Sequence, residues 1–255
     1  MLYGLLIIQC GYWLCFYDVL FGANSMVLTK PYPMQRFSDL AFFLYSQLSP
    51  HAAYWFILPV LLLSLISLIK PVYFIGDALI WLLTVNLHNR LYASLSGGDY
   101  LLNQLLFFNC FLSARYAITN SSRNAAKVFL HNLGVVLIIA QINFTYILSA
   151  LAKLGDPLWL SGRAVLSISQ VQHYALFSMP KFPDLLYIIL NYVVLLYQCL
   201  FPIMIWLKPV KKPFIIIGIG MHLYIALVMG LVSFGLIMIS GYIFFWPFST
   251  SQKDD

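Results

Sequence analysis

The chain has 255 residues, of which 62% are hydrophobic and 9% charged, and its mean hydropathy is +0.88. Apolar stretches of roughly 18 or more residues recur from end to end, which excludes an ordinary soluble domain and predicts a multi-pass helical membrane protein. Segments of ~10 residues with alternating polarity, typical of a transmembrane barrel, do not occur. The net charge of +6, with no glutamate, favours basic loops on anionic head groups over nucleic-acid binding.

The N-terminal half is predicted to contain four membrane spans. The first lacks the basic start and cleavage site of a signal peptide, so we expect it to be retained. Residues 37–48 are aromatic but too short to cross, which predicts an interfacial segment. Lys70-Pro71 predicts a tight basic turn, and residues 115–132 are predicted to form an extramembrane loop. The four predicted spans are residues 2–22, 52–69, 72–92 and 100–117.

The C-terminal half adds spans at about residues 133–153 and 184–207, followed by a basic turn at 208–212. The last apolar run, 213–248, has 36 residues, whereas one span needs ~20. We therefore predict two spans broken near Gly230 and eight in all, while one long tilted helix would leave seven. The segment 154–183 is too polar to cross and too aromatic to float freely, so it is predicted to fold at the interface beside the bundle or to re-enter it.

These elements predict an all-α polytopic bundle in the cell membrane, with residues 1–255 as a single transmembrane domain. Positive charges divide almost evenly between the two sides, and the distribution slightly favours a cytoplasmic N-terminus. No internal repeat or low-complexity tract is evident. The lipid bilayer is the one partner that composition itself implies.

The third predicted span carries a polar stripe. Its members are spaced so that they fall on one face of a helix. Lipid offers no hydrogen-bond partner, so this face is expected to turn toward the bundle interior or a wet cavity. A seam of interhelical hydrogen bonds and a functional site both explain it, although an imidazole here favours function. The stripe consists of Asp77, Trp81, Thr84, His88 and Tyr92.

Lys153 ends the fifth predicted span, where it shares a helical face with Tyr146 and Ser149. As an interfacial anchor, its stem would lie along lipid and its ammonium would reach the head groups. Facing inward, its amine would be desolvated, which favours the neutral form that acts as a base. Composition alone favours the anchor. His222 lies deep in the last apolar run, and interhelical hydrogen bonding and function are equally open for it.

Other chemistry-bearing residue types give weaker indications. The four cysteines, Cys10, Cys15, Cys110 and Cys199, lie in apolar runs without C-x-x-C spacing, which favours packing over redox or metal binding. His-x-x-x-His, Gly-x-Ser-x-Gly, P-loop and dinucleotide signatures do not occur. We therefore predict no metal site, serine hydrolase or nucleotide-driven pump.

Three segments together resemble a known family. Residues 141–146 and 149–154, followed by Trp159-x-x-Gly162, resemble the core motif of the vitamin K-dependent γ-carboxylase family, whose bacterial relatives are called horizontally transferred transmembrane (HTTM) domain proteins. Residues 86–92 and then Gly97-Gly98-Asp99 are similar to the family's histidine segment and its Gly-Gly-Asp turn. Residues 221–223, leading into 229–234, resemble its late histidine helix.

The resemblance implies a quinone-dependent enzyme with Lys153 as catalytic base and His88 as the group that assists the intermediates. In that chemistry the lysine amine takes a proton from a reduced quinone (menaquinone or vitamin K-like), molecular oxygen then gives a strong base, and carbon dioxide adds to the substrate carbanion. Lys153 and His88 would face one shared cavity, roofed by the segment 154–183. The residues expected to contact the quinone are Tyr92, Tyr146, His222, Trp159 and Arg163.

The sequence ends at Asp255, just after the predicted membrane core, so we expect the large soluble domain of the carboxylases to be lacking. We therefore expect a peptide or lipid-phase substrate and leave glutamyl carboxylation open. An alternative is a non-catalytic membrane factor for the maturation, export or immunity of a secreted peptide toxin of the sporulation-delaying type. A solute carrier is less favoured because repeats and matching broken spans are lacking.

Overall fold

The structure, a computed structural model, describes residues 1–22, 25, 50–112, 125–170 and 182–246. Every regular element in these ranges is helical. Four helices are long and apolar enough to cross a membrane, which agrees with the predicted class of helical membrane protein. They are His51–Ile69, Ala125–Leu154, Asp184–Met204 and Lys208–Leu227. The chain divides into two compact units, residues 1–138 and 139–255, and each is described by itself.

The first unit is a set of helices that pack in chain order. α1 packs against α3, α3 against α4, and α4 against α5. Apolar side chains from each helix fill the interior, such as Leu6 from α1, Ile57 from α3 and Leu87 from α4, all fully buried. The helices are α1 (Leu2–Cys15), α2 (Tyr17–Leu20), α3 (Tyr54–Ile69), α4 (Tyr73–Arg90), α5 (Gly97–Asn109) and the start of α6 (Ala125–Leu154), which continues into the second unit.

The second unit is built around three long helices and a shorter one. Two short helices pack on α9, and α11 packs closely along α10. Gly235 permits this approach, since a Cβ there would meet the His222 carbonyl oxygen at 2.5 Å. After α6, the helices are α7 (Pro157–Leu160), α8 (Ala164–Ser169), α9 (Asp184–Met204), α10 (Lys208–Leu227) and α11 (Val232–Gly241).

Two features predicted from sequence are confirmed. Residues 70–72 form the turn between α3 and α4, as Lys70-Pro71 indicates. The last apolar run is broken between Leu227 and Val232, and Gly230 lies in the break with φ +74°. Only glycine adopts this left-handed conformation readily, so its position explains where the helix ends.

Several predicted boundaries are wrong. The first span is not continuous, because α1 has 14 residues and the backbone breaks at Phe16, after which the Tyr17 ring stacks on Tyr54. α5 has 13 residues and ends at Asn109, short of the predicted end at 117. It also includes the predicted Gly-Gly-Asp turn, because Ser96 and Asp99 form a capping box that starts the helix there.

Two predicted loops are in fact helical. α6 begins at Ala125, so the end of the predicted loop 115–132 forms its first turns, while the rest of that loop falls outside the described residues. The predicted basic turn at 208–212 is the start of α10, where Pro209 occupies the first turn, a position that proline favours. The predicted interfacial segment 37–48 also lies outside the described residues.

Candidate functional site

Lys153 lies in the last turn of α6, with its side chain held on two sides. Its Nζ donates a hydrogen bond to Ser149 Oγ at 2.8 Å, one helical turn earlier. The same Nζ lies 4.9 Å from the centroid of the Trp159 ring, within the range of a cation–π contact. Ser149 Oγ in turn donates to Gln198 Oε1 of α9 at 3.3 Å. The amine is half-buried, so it is both fixed in place and accessible.

The position of Trp159 is set by a short segment anchored on α9. Asn191 Nδ2 donates to the Trp159 carbonyl oxygen at 2.8 Å, and the Tyr192 hydroxyl donates to the Leu160 carbonyl oxygen at 2.8 Å. Gly162 has φ +76° and abuts Tyr192, so the chain turns tightly there. The predicted packing of this segment beside the bundle holds for residues 157–169, whereas 171–181 lie outside the described residues.

Arg163, predicted to approach a quinone oxygen, occupies the N-cap position of α8 without a side-chain capping bond and is exposed. It belongs to the same anchored segment as Trp159. Its role stays a prediction.

A second polar cluster, the tyrosine–histidine network, is buried in the second unit. Tyr146 Oη lies 2.8 Å from His222 Nε2 and 2.6 Å from Tyr242 Oη. Tyr242 Oη lies 3.0 Å from Tyr197 Oη, which donates to the Phe214 carbonyl oxygen at 3.2 Å. All four polar side chains are at most 4% exposed. The network therefore links α6, α9, α10 and the turn after α11 in the interior of the unit.

The network has a single consistent order of protons. Three hydroxyl protons and one imidazole proton serve four hydrogen bonds, and the carbonyl of Phe214 can only accept. Tyr197 therefore donates to Phe214, Tyr242 to Tyr197, Tyr146 to Tyr242, and His222 Nε2–H to Tyr146. His222 Nδ1 is then a bare acceptor, and it finds no partner among the described residues.

His88 lies in the first unit and is fully buried, as the polar stripe on α4 predicts. Its Nε2 lies 3.0 Å from Gln9 Nε2, and its Nδ1 lies 2.7 Å from Asn103 Oδ1. Gln9 Nε2 also donates to Asp99 Oδ1 at 3.0 Å, which fixes the orientation of that amide. His88 Nε2 must then accept and Nδ1–H must donate, so the imidazole is neutral and joins α1, α4 and α5. The edge of the Trp13 ring covers it, with centroids 5.5 Å apart.

The rest of the stripe divides by its position on α4. Asp77 and Thr84 are buried, and Trp81 is half-buried. Tyr92 lies beyond the helix, because α4 ends at Arg90 and Tyr92 begins a 3₁₀ turn, so the predicted stripe on one helical face ends at His88. The Leu91 N–H bonds to the carbonyls of both Leu87 and His88, which marks this helix end.

The predicted site residues therefore form separate groups. Lys153 and Trp159 meet directly, while Tyr146 and His222 meet in the tyrosine–histidine network. His88 belongs to the first unit, so the cavity predicted to join it to Lys153 stays a prediction. Sequence analysis missed the partners of these groups, because single tyrosines and amides in apolar runs carry no spacing signal. These partners are Gln9, Asp99, Asn103, Tyr197, Gln198 and Tyr242.

Over the described residues the protein is all-helical, with four helices long and apolar enough to cross a membrane, and it holds a partnered amine at Lys153 and two enclosed polar networks. Comparison of the chain with protein-family models, curated proteins and solved structures finds no match. The resemblance to the carboxylase family thus stays a prediction from the three sequence segments.

Proposed function

We propose that the chain is a quinone-dependent membrane enzyme of the vitamin K-dependent carboxylase-like kind, in which Lys153 is the base. The observation that carries this proposal is the placement of the Lys153 amine: half-buried, bonded to Ser149 and lying against the Trp159 ring. A purely snorkelling lysine has no need for such partners, because its ammonium is solvated by head groups. The three family-like segments in the sequence point to the same residue.

The Lys153 surroundings fit a reduced quinone. A quinol has a flat aromatic ring and two phenolic hydroxyls, and the Trp159 ring with an adjacent amine provides a stacking surface and a proton acceptor. When bound, the quinol supplies the reducing equivalents and, with molecular oxygen, the strong base that the substrate needs. Ser149 orients Nζ through its hydrogen bond, and Gln198 fixes Ser149.

The enclosed networks fit a supporting role in the same protein. Tyr146 and His222 bond to each other and to Tyr242, and both nitrogens of His88 bond to side chains. The tyrosine–histidine network ties α6 to α9 and α10, which keeps Lys153 in position within its unit, and His88 ties α1, α4 and α5 together in the first unit. Direct assistance by His88 would require its bond to Gln9 or Asn103 to exchange for one to the substrate.

Eight spans remain our proposal for the bundle. Eight helices of ten or more residues occur among the described residues, namely α1, α3, α4, α5, α6, α9, α10 and α11. Four of these are long and apolar enough to cross a membrane, and α1 and α11 are apolar but shorter. The cell membrane is the proposed location, with the N-terminus cytoplasmic.

The test uses the purified protein in lipid nanodiscs with chemically reduced menaquinone. Oxygen uptake and quinone products are measured, with and without carbon dioxide and a candidate peptide. Lys153→Arg should lower quinol-dependent turnover by at least about 100-fold, because the guanidinium stays protonated and general-base catalysis contributes about that much. The matched control is Lys212→Arg, an exposed lysine on α10, which should behave like wild type.

A second variant separates catalysis from stability. Lys153→Ala should also abolish turnover while leaving the melting temperature near that of wild type, because burying an amine is itself unfavourable. If Lys153→Arg retains full turnover, the base assignment is wrong. If wild type shows no quinol-dependent turnover but is required for a secreted peptide toxin to be active or tolerated, the non-catalytic membrane factor is the better account.

A further inference from the structure

A cavity of about 990 Å³ lies in the first unit. It is half open and lies between the start of α1, the α3–α4 turn, the end of α5 and the start of α6. The α3–α4 turn ends a candidate membrane span, so the cavity lies at the level where a lipid head group would be found. Its size is that of a site for a small molecule or a lipid head group with the first part of its chains.

The interior of the cavity carries a polar triad. Asn109 Nδ2 donates to Tyr3 Oη at 2.8 Å, and Tyr3 Oη donates to Asp77 Oδ1 at 2.5 Å. An O–H···O distance of about 2.5–2.7 Å is typical of a bond to an ionised carboxylate. Asp77 is 7% exposed and lines the cavity, so its carboxyl group faces an occupant from a largely apolar surrounding.

Positive charge and apolar surface complete the lining. Lys70, in the α3–α4 turn, is exposed and lines the cavity, together with Lys127 of α6. Asp77 lies four residues after Tyr73, which is about one helical turn and a rise of about 6 Å, so the carboxylate lies further along α4 than the basic turn. Most of the remaining lining is apolar, including Ile69, Phe74 and Leu130, which suits acyl chains and not a soluble ion.

We propose that this cavity binds an ethanolamine-type phospholipid. Its primary ammonium bonds to Asp77, its phosphate pairs with Lys70 and Lys127, and its chains lie against the apolar lining. The cavity selects this head group by its charges, because Asp77 requires a cation in the interior and the lysines require an anion at the α3–α4 turn. A phosphatidylglycerol has no cation for Asp77, and a phosphatidylcholine has a trimethylated nitrogen that donates no hydrogen bond.

Native mass spectrometry of the detergent-purified full chain tests the proposal with three lipids of identical acyl chains. Wild type should bind one phosphatidylethanolamine about tenfold more tightly than phosphatidylglycerol or phosphatidylcholine, since a charge-assisted hydrogen bond is worth about that factor. Asp77→Asn keeps an acceptor for Tyr3 but loses the charge, so it should remove this preference without weakening phosphatidylglycerol binding. Lys70→Gln should weaken phosphatidylethanolamine and phosphatidylglycerol alike, while Lys208→Gln, at another exposed lysine, should change neither.

The lipid preference of the wild-type protein tests the proposal even where a variant fails to fold. Phosphatidylglycerol binding as tightly as phosphatidylethanolamine, or the absence of saturable binding, overturns the proposal. Retention of the preference in a folded Asp77→Asn protein also overturns it. Soluble phosphoethanolamine that displaces the lipid at equal concentration would show that the cavity takes a soluble zwitterion instead.

Discussion

The proton order in the tyrosine–histidine network makes Tyr242→Phe an informative change. The hydroxyl of Tyr242 accepts from Tyr146 and donates to Tyr197, so its removal deletes two hydrogen bonds while the ring remains in place. Tyr146 then loses its acceptor. It can recover one by turning its hydroxyl to His222 Nε2, but only if the imidazole proton moves to Nδ1. The substitution should therefore change the tautomer of a histidine that it does not touch.

The expected loss of stability follows from the number of bonds. A neutral hydrogen bond contributes about 1 kcal/mol net in soluble proteins and about 0.6 kcal/mol between membrane helices. Two lost bonds give about 1–2 kcal/mol, because the bond between Tyr146 and His222 reverses its direction and is neither gained nor lost. For a chain of this size the melting temperature should fall by about 3–6 °C. Tyr224→Phe, on α10, is the control, because the Tyr224 hydroxyl makes no hydrogen bond to the described residues.

The assay is solid-state NMR of ¹⁵N-histidine-labelled protein in lipid bilayers, where protonated and bare imidazole nitrogens have distinct shifts. His222 is assigned by its loss in His222→Gln. Wild type should show His222 protonated at Nε2 and His88 protonated at Nδ1, so the two buried histidines should have opposite tautomers. In Tyr242→Phe the His222 signal should change to the Nδ1–H form, whereas His88 serves as an internal reference that does not change.

Two results would refute the reasoning. If wild-type His222 is protonated at Nδ1, the proton order derived from the Phe214 carbonyl is wrong. If Tyr242→Phe lowers the melting temperature but leaves the His222 tautomer unchanged, Tyr146 has found another acceptor and the network is not a closed chain.

Two further substitutions test how tightly these clusters are built. Gly218→Ala should lower the free energy of unfolding by about 1–3 kcal/mol, and with it the melting temperature, because the added Cβ would meet the hydroxyls of Tyr197 and Tyr242. Gly220→Ala on the same helix is the control: its Cβ would have nothing within 4 Å, so the change should be neutral or stabilising. Equal effects of the two alanines would contradict the close approach at Gly218. Asp99→Asn should lose about 1–2 kcal/mol in thermal unfolding, because Asp99 completes the α5 capping box and accepts from Gln9. Asp184→Asn, at an exposed helix start without a side-chain cap, is the control. A comparable loss of stability there would contradict the stabilising role assigned to Asp99.

Local sequence signals predicted the features that depend on neighbouring residues. The break at Gly230 and the Lys70-Pro71 turn follow from backbone preferences of glycine and proline, which act whatever the tertiary fold. The inward face of α4 followed from helical spacing and the absence of hydrogen-bond partners in lipid. The packing of residues 157–169 beside the bundle was expected from a mixture of polar and aromatic residues that suits neither lipid nor a free loop, whereas their two short helices were not predicted.

Tertiary contacts decided what the sequence did not predict. Nothing local marks Phe16 as a break in α1, and the stacking of Tyr17 on Tyr54 depends on a partner distant in sequence. The same holds for Tyr197 and Tyr242, whose hydroxyls meet only because α9 and the turn after α11 converge beside Gly218. The stripe on α4 was extended to Tyr92 because spacing alone does not reveal where a helix ends.

The hydrogen-bond partners of each polar side chain distinguish Lys153 from the other candidates. His88 uses both nitrogens within the protein, and Tyr146 has both its donor and its acceptor engaged. A lysine ammonium has three donors, and the structure gives Lys153 one hydrogen bond, to Ser149, and the face of the Trp159 ring. Since the amine is half-buried, it retains capacity for a further partner without losing its position. A catalytic base must be fixed in position and still have hydrogen-bonding capacity for the substrate, whereas a side chain with every hydrogen bond in use must first break one. Lys153 is therefore where chemistry should be sought first, and His222, which lies in the same unit, should be tested as a group that positions it.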